Sequence, residues 1–319
     1  MAEVQRYNFA IIGVAGFIAV RHLKAIKETG NNLVAALDIH DSVGIIDGYF
    51  PETDFFIEFE RFDRHIDKLR RQGTNVDFVS ICSPNYLHDS HIRFALRSGA
   101  NAICEKPIVL NPWNIDAIKE YGNETGKKVF NILQLRLHPS IQALRNTILN
   151  GPRNKIYNID LTYITSRGNW YHYSWKGNVQ KSGGIATNIG VHFFDMLIWI
   201  FGDVRESEVH LSQNNKASGL LRLERANVRW FLSIDYNDLF LISKKNGQRT
   251  YRSIIIDNQE IEFIEGFTDL HTRSYQELLA GRGFGLEDAR KSIEAVYTIR
   301  NSIPVVPGTD YHPLLKMLH

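Results

Sequence analysis

The chain has 319 residues, 44% of them hydrophobic and 23% charged, with a formal net charge of +2. That length predicts two domains of ordinary globular composition, and near-neutrality removes the general electrostatic case for a nucleic-acid partner. Two cysteines, Cys82 and Cys104, sit at predicted strand ends, which is no disulfide framework and points to a reducing cytoplasm. No signal-type run precedes the first strand, and no stretch reaches the roughly 20 apolar residues of a membrane span. Ile185–Phe201 is the most apolar region, but Asn188, His192 and Asp195 interrupt it, so it reads as a core helix.

Tyr7–Ile12 is a short apolar strand followed by the turn Gly13-Val14-Ala15-Gly16-Phe17-Ile18-Ala19 and a helix with Val20, Leu23 and Ile26 on one face. Strand, glycine turn and helix are the context a dinucleotide site requires. The tight turn lets backbone approach a pyrophosphate, which sits on the helix N-terminus. The spacing Gly13-x-x-Gly16-x-x-Ala19 is longer than the strict fingerprint, and a plain strand-to-helix turn has the same look. The next strand, Leu33–Leu37, ends at Asp38, a little over twenty residues past the first glycine. A carboxylate there accepts hydrogen bonds from the adenosine ribose and repels a 2′-phosphate, which predicts NAD over NADP. A turn aspartate is the other reading.

Tyr49–Phe62 is aromatic-rich and acidic and is expected to cover a sheet edge or a subunit contact. Asp63–Gln72 is an amphipathic helix, and Asp77–Cys82 a buried strand leading into Ser83-Pro84-Asn85-Tyr86-Leu87-His88. Ser83 and Asn85 either cap the following helix or touch the cofactor. Ala102–Cys104 ends another buried strand, and Glu105-Lys106-Pro107 follows, presenting Lys106 where ligands bind in an open parallel sheet. Asn111–Thr125 is a helix and Val129–Leu133 a strand. The alternation predicts an α/β, doubly wound parallel sheet over residues 1–133.

Residues 134–319 form the second predicted domain, for substrate binding and oligomerisation. Gln134–Pro139 leaves the last parallel strand, and a helix runs to Asn150. Lys155–Thr165 is a strand. Ser166–Gly177 interleaves Trp170, Tyr171, Tyr173 and Trp175 with Arg167 and Lys176, the composition of an exposed platform. Such a segment can stack a ring and pair with phosphate or carboxylate, form a subunit interface, or hold single-stranded nucleic acid. Asn188, His192 and Asp195 recur at helical spacing and share a face. With one histidine, one carboxylate and no nearby cysteine, that face is a poor metal site, so no metal is expected. Further strands are predicted at Val204–Gln213, Gly219–Leu223, Val228–Ile234, Tyr251–Ile256 and Glu260–Phe263, with a turn at Gly247. Gly266–Arg273 then leads to a helix with Tyr275, and Leu286–Ile299 is the last helix.

The glycine turn, the C-S-P-N-x-x-H segment, the strand-terminal E-K-P and the later G-G…G-x-H-x-x-D run together resemble the Gfo/Idh/MocA oxidoreductases. The resemblance implies an N-terminal Rossmann domain and a C-terminal α+β domain with a large, open, mainly antiparallel sheet. It implies NAD bound by Gly13, Ala15, Gly16, Phe17, Ile18, Asp38, Ser83, Asn85, His88, Glu105 and Lys106, with Lys106 and His192 catalytic. It also implies Arg136 and His138 as candidate substrate contacts, an ion pair at the domain interface being the other reading of Arg136. Many members carry Asp where this chain has Asn188, which cannot accept a proton. The runs I-T-S-R-G-N-W-Y, A-T-N-I-G-V-H-F and E-G-F-T-D-L-H-T are similar to one branch, the UDP-N-acetyl-2-amino-2-deoxyglucuronate 3-dehydrogenases of bacterial surface-polysaccharide synthesis. That similarity implies a UDP-sugar held by Lys106, Arg136, Arg167, Asn169, Trp175, Lys176, Asn188 and His192. It further implies 2-oxoglutarate as an oxidant for bound NADH, and a homotetramer or homodimer. A polyol dehydrogenase with an inositol-like substrate and a non-catalytic NAD-binding protein are the alternatives.

Overall fold

The computed structural model describes residues 6–242, 249–261 and 269–318 and separates into two compact units. In the first, β1 (Asn8–Ile12), α1 (Ala19–Glu28), β2 (Asn32–Leu37), β3 (Asp54–Phe56), α2 (Phe59–Arg71), β4 (Phe78–Ile81), α3 (His88–Arg97), β5 (Asn101–Cys104), α4 (Pro112–Thr125) and β6 (Val129–Asn131) follow in turn. Among the described residues the strands form one parallel sheet in the order β3-β2-β1-β4-β5-β6. Strand order reverses between β1 and β4, the place where such sheets open a crevice. The central strands are buried on both faces, which is why they read as continuous apolar runs rather than alternating ones. Part of the acidic, aromatic segment 49–62 extends the sheet as its edge strand β3 and begins α2.

The unit runs to Gln134 and takes back the stretch ending at Ala289, so a division into 1–133 and 134–319 needs correction. The physical reason is helix Leu270–Leu279, whose Tyr275 is fully buried with its ring stacked 5.8 Å from that of Phe9 on β1.

The second unit is built on β7 (Tyr157–Thr165), β8 (Val204–Ser212), β9 (Lys216–Leu223), β10 (Ala226–Ser233), β11 (Thr250–Ile256) and β12 (Gln259–Glu260). Their order is β12-β11-β7-β10-β9-β8, antiparallel throughout except for the central β7–β10 pair, which is parallel. The hairpin β11–β12 turns at Asp257 and Asn258, both with positive φ, as its two-residue loop requires. Helix Val191–Phe201 packs on one face, with Phe194 edge-on to the buried Trp230. Gly190 permits this approach, since a Cβ there would lie 2.6 Å from Leu232. The run Val179–Phe201 is long and apolar enough to cross a membrane by length and composition, yet 78% of its most apolar window is buried in the protein. The expected turn at Gly247, the end of the strand at 262–263 and Gly266–Thr268 lie outside the described residues.

Candidate active site

In the first unit the glycine turn is locked to its neighbours by backbone. Gly13 N–H and Val14 N–H donate to the Leu37 carbonyl at 2.8 and 3.3 Å, and Gly16 N–H returns to Gly13. Gly13 has φ +87°, and a Cβ there would stand 2.7 Å from the Cys82 carbonyl carbon and Ser83 nitrogen. Only glycine lets β1 leave the sheet so close to the end of β4. Asp38 completes the corner: its carboxylate accepts from Ala15 N–H and from His40 N–H, both at 2.9 Å. Phe17 is 85% exposed, Gly16 is exposed, and Ile18 makes no side-chain cap on α1, so the helix N-terminus is open to an anion. An acidic ribose acceptor with no cation in Asp38–Asp41 fits NAD.

Ser83 and Asn85 are buried at the carboxyl end of β4. The Ser83 hydroxyl bonds His91 Nδ1 at 2.8 Å, and burial lowers the His91 pKa to about 4, so this ring is neutral near pH 7. His88 ties two loops together. Its Nδ1 lies 2.7 Å from the Pro107 carbonyl and its Nε2 2.9 Å from that of Ser83, and the ring is 1% exposed. Burial lowers its pKa against the pull of those carbonyls and of Glu105. His88 therefore braces the loop from behind, its ring turned to backbone.

Glu105 is also turned inward. Oε1 takes His22 Nε2 at 3.0 Å and His271 Nε2 at 2.9 Å, and Oε2 takes the Lys106 backbone N–H at 3.2 Å. Burial alone would raise the Glu105 pKa, but the two histidine hydrogen bonds hold it well below the usual carboxylate range. Among the described residues, His22, Glu105 and His271 form a group of metal-ligand type. Their separations are those of direct hydrogen bonds, shorter than the edge of about 3.3 Å in a tetrahedral shell with bonds near 2.0–2.1 Å. Lys106, half-buried, follows immediately at the end of β5. Cys82 and Cys104 are free thiols whose pKa values burial pushes well up, which keeps them unreactive.

In the second unit the helical run 185–198 is buried except at Asn188 and His192, which are half-buried. These are the polar groups the helix offers outward. Residues Ala186–Gly190 form a wide π turn ahead of the regular helix Val191–Phe201, rotating Asn188 relative to the residues beyond it. The expected single face of Asn188, His192 and Asp195 is thus divided. Asp195 is 2% exposed and grips Arg136 through two hydrogen bonds, Nε to Oδ2 at 2.9 Å and Nη2 to Oδ1 at 2.7 Å. Arg136 is itself buried, and the ion pair that is one of its two readings is made with Asp195, inside the second unit. His138 is likewise internal: its Nδ1 accepts from Ser140 N–H and caps helix Pro139–Asn150.

The segment after β7 divides in two. Arg167, Asn169 and Trp170 are exposed, while Trp175 and Lys176 are half-buried. Lys176 Nζ stands 5.0 Å from the Trp170 ring centre and 5.5 Å from that of Trp175. Burial, then the Arg167 charge, lowers the Lys176 pKa. Tyr171, expected on the exposed platform, is instead 2% exposed, and its hydroxyl accepts from Asn188 Nδ2 at 2.9 Å. Its burial was foreshadowed only by its place one residue from Trp170 in a turn too short to expose every ring.

Comparisons with known proteins agree with this arrangement. A dehydrogenase from Thermus thermophilus, WlbA (WbpB), solved with NAD and alpha-ketoglutarate, is 49% identical with a TM-score of 0.93, covering 97% of this chain and 99% of that one. The same Thermus enzyme solved with NAD and UDP-GlcNAcA gives 48% identity and a TM-score of 0.92 over the same shares. The inositol 2-dehydrogenase of Rhizobium meliloti (strain 1021) is 28% identical over 199 residues, 61% of this chain and 55% of that protein. The chain spans only 36–55% of the length of the first curated relatives it matches. Residues 7–132 match the profile of the oxidoreductase family's NAD-binding Rossmann fold, and residues 147–243 that of its C-terminal alpha/beta domain. Both halves, in order and on the folds those profiles describe, make the chain a member of the Gfo/Idh/MocA oxidoreductase family.

Proposed function

We propose that the chain oxidises the C3 hydroxyl of UDP-N-acetyl-2-amino-2-deoxy-D-glucuronate to the 3-keto sugar. The observation that carries this reading is the near-complete match, at 48% identity, to a dehydrogenase solved with NAD and UDP-GlcNAcA. The cationic, aromatic segment Arg167–Lys176 supports it, because a uronate on a diphosphate needs several positive donors and a flat apolar surface. A neutral polyol needs neither.

NAD, when bound, supplies the hydride acceptor. Oxidation breaks the C3–H and O3–H bonds and forms C3=O. The Lys106 ammonium at the end of β5 stabilises the negative charge developing on O3, and His192 takes the O3 proton. Asn188, held by Tyr171 and unable to accept a proton, orients the sugar. Asp38 takes the adenosine ribose, and the open α1 N-terminus the pyrophosphate. Arg167, Asn169, Trp175 and Lys176 receive the uridine diphosphate and uronate. The same reading includes 2-oxoglutarate as the oxidant that regenerates NAD, a homotetramer or homodimer, a cytoplasmic setting and a supply line to lipopolysaccharide O-antigen sugars. The Thermus complex with alpha-ketoglutarate supports the first of these.

Calorimetry with UDP alone tests recognition apart from chemistry. Binding to the NAD-loaded protein is expected. No binding of UDP, together with oxidation of free myo-inositol, would replace this reading with a polyol dehydrogenase.

A further inference from the structure

We propose that His22 and His271 are positioning residues for Lys106, acting through the Glu105 carboxylate they share. The proposal rests on the reading of Lys106 as the catalytic cation and deepens it.

The donor and acceptor roles in this cluster have one solution. A carboxylate only accepts, so His22 Nε2 and His271 Nε2 must both carry protons toward Oε1, at 3.0 and 2.9 Å. His22 Nδ1 is then an acceptor and receives the Tyr275 hydroxyl at 2.7 Å. The Tyr275 oxygen in turn accepts from the Ser80 hydroxyl at 2.6 Å. The chain runs Ser80 to Tyr275 to His22 to Glu105, met from the other side by His271. Glu105 is the anion and the His22 ring is neutral. Burial lowers the His22 pKa, in keeping with a neutral ring.

The five members come from four parts of the first unit. His22 lies on α1 just after the glycine turn, Ser80 on β4, Glu105 at the end of β5, and His271 and Tyr275 on helix Leu270–Leu279. All five residues are at most 5% exposed. Charge-assisted hydrogen bonds in such a site are roughly twice as strong as neutral ones, and removing one donor leaves buried charge under-satisfied. The other carboxylate oxygen holds the Lys106 N–H. Fixing Glu105 therefore fixes the backbone position from which the Lys106 side chain starts. Misplacing a reacting group by about 1 Å commonly costs on the order of 100-fold in rate.

The test compares His271→Leu, which deletes the donor, with His271→Gln, whose amide nitrogen reaches nearly the same point. If His271→Leu does not fold, His271→Asn, polar but too short, takes its place. Turnover of UDP-GlcNAcA, its Michaelis constant, the NAD dissociation constant and the melting temperature are measured for each. We expect kcat to fall about 10-fold or more in the Leu or Asn variant, with NAD binding and KM within about 3-fold of wild type, and His271→Gln to recover most of the loss. Unchanged kcat in a folded Leu or Asn variant overturns the proposal. So does a Gln variant as slow as Leu, which would make the effect one of packing, or a loss confined to NAD affinity. Lys106→Met, run alongside, separates the two claims. If it is inactive while His271→Leu is normal, the positioning proposal alone fails; if it turns over normally, the reading of Lys106 fails.

Discussion

The end of β5 and the segment after β7 carry charge in opposite ways. Glu105 is enclosed, with each carboxylate oxygen assigned a donor and two buried histidines committed to it. Arg167 and Asn169 stand in solvent, and Lys176 is held by two tryptophan faces rather than by a carboxylate. Buried, fully satisfied polar networks rigidify and specify one arrangement. A half-open cation on aromatic faces gives positive charge and shape without a fixed partner, so it can receive different anions. On the proposed function the difference is a division of labour: the first region sets which chemistry is done, the second which molecule receives it. Substitutions in the first should therefore move rate, and those in the second affinity.

The largest expected effect belongs to neither region and guards the contrast against confusion. Arg136→Met removes one partner of a buried ion pair with Asp195, which costs about 3–5 kcal/mol of stability. Urea unfolding measures it. Unaltered stability with a raised Michaelis constant would return Arg136 to the substrate site.

Lys106→Met should lower kcat by on the order of 100-fold or more with NAD binding retained, and His192→Asn should lower it by a similar or smaller factor. Stopped-flow turnover beside NAD titration checks both. A near-normal rate for either would remove that residue from the chemistry.

Each unit also carries a buried neutral histidine whose ionisation opposes the fold. His91 is depressed to about 4 and His312 to about 3, both first by burial. The unfolded chain takes up these protons near pH 6.5, so stability is complete above that value and falls as pH drops toward 4 and 3. At pH 5 each should have cost about 2 kcal/mol, taking about 1.4 kcal/mol per unit. Melting temperatures at pH 7 and pH 5 test this, and equal values would contradict it.

Arg167→Ala should raise the Michaelis constant for the uronate about 10-fold while kcat changes little, the smallest effect and the one that most sharpens the contrast. A loss in kcat alone would move Arg167 into the catalytic group.

Much of this was legible in the sequence because it is local. The glycine turn, Asp38 at a strand end, E-K-P and the Asn188–His192 spacing are short patterns of neighbouring residues, each with few physical readings. What could not be read are pairings across long separations. Arg136 meets Asp195 59 positions on, and Glu105 meets His271 across 166. No periodicity announces either, so an ion pair for Arg136 reads without its partner, and Glu105 reads as a cofactor ligand. His22 did leave a trace, a polar residue on the same buried face of α1 as Ala19, Leu23 and Ile26. The π turn at Ala186–Gly190 has no such trace, and it turns Asn188 away from the angle to His192 and Asp195 that regular helical spacing gives. Helix Leu270–Leu279 was legible as a helix but not as part of the first unit, since its partner strand β1 lies at the other end of the chain.

The central claim is that this chain oxidises a nucleotide-linked uronate. Wild-type protein with NAD is given UDP-GlcNAcA and, separately, UDP-GlcNAc, which lacks the carboxylate, with products followed by mass and NADH absorbance. The account predicts loss of two mass units from the uronate and much slower turnover of UDP-GlcNAc. Equal turnover of the two, or oxidation of neither while free myo-inositol is oxidised, would contradict it.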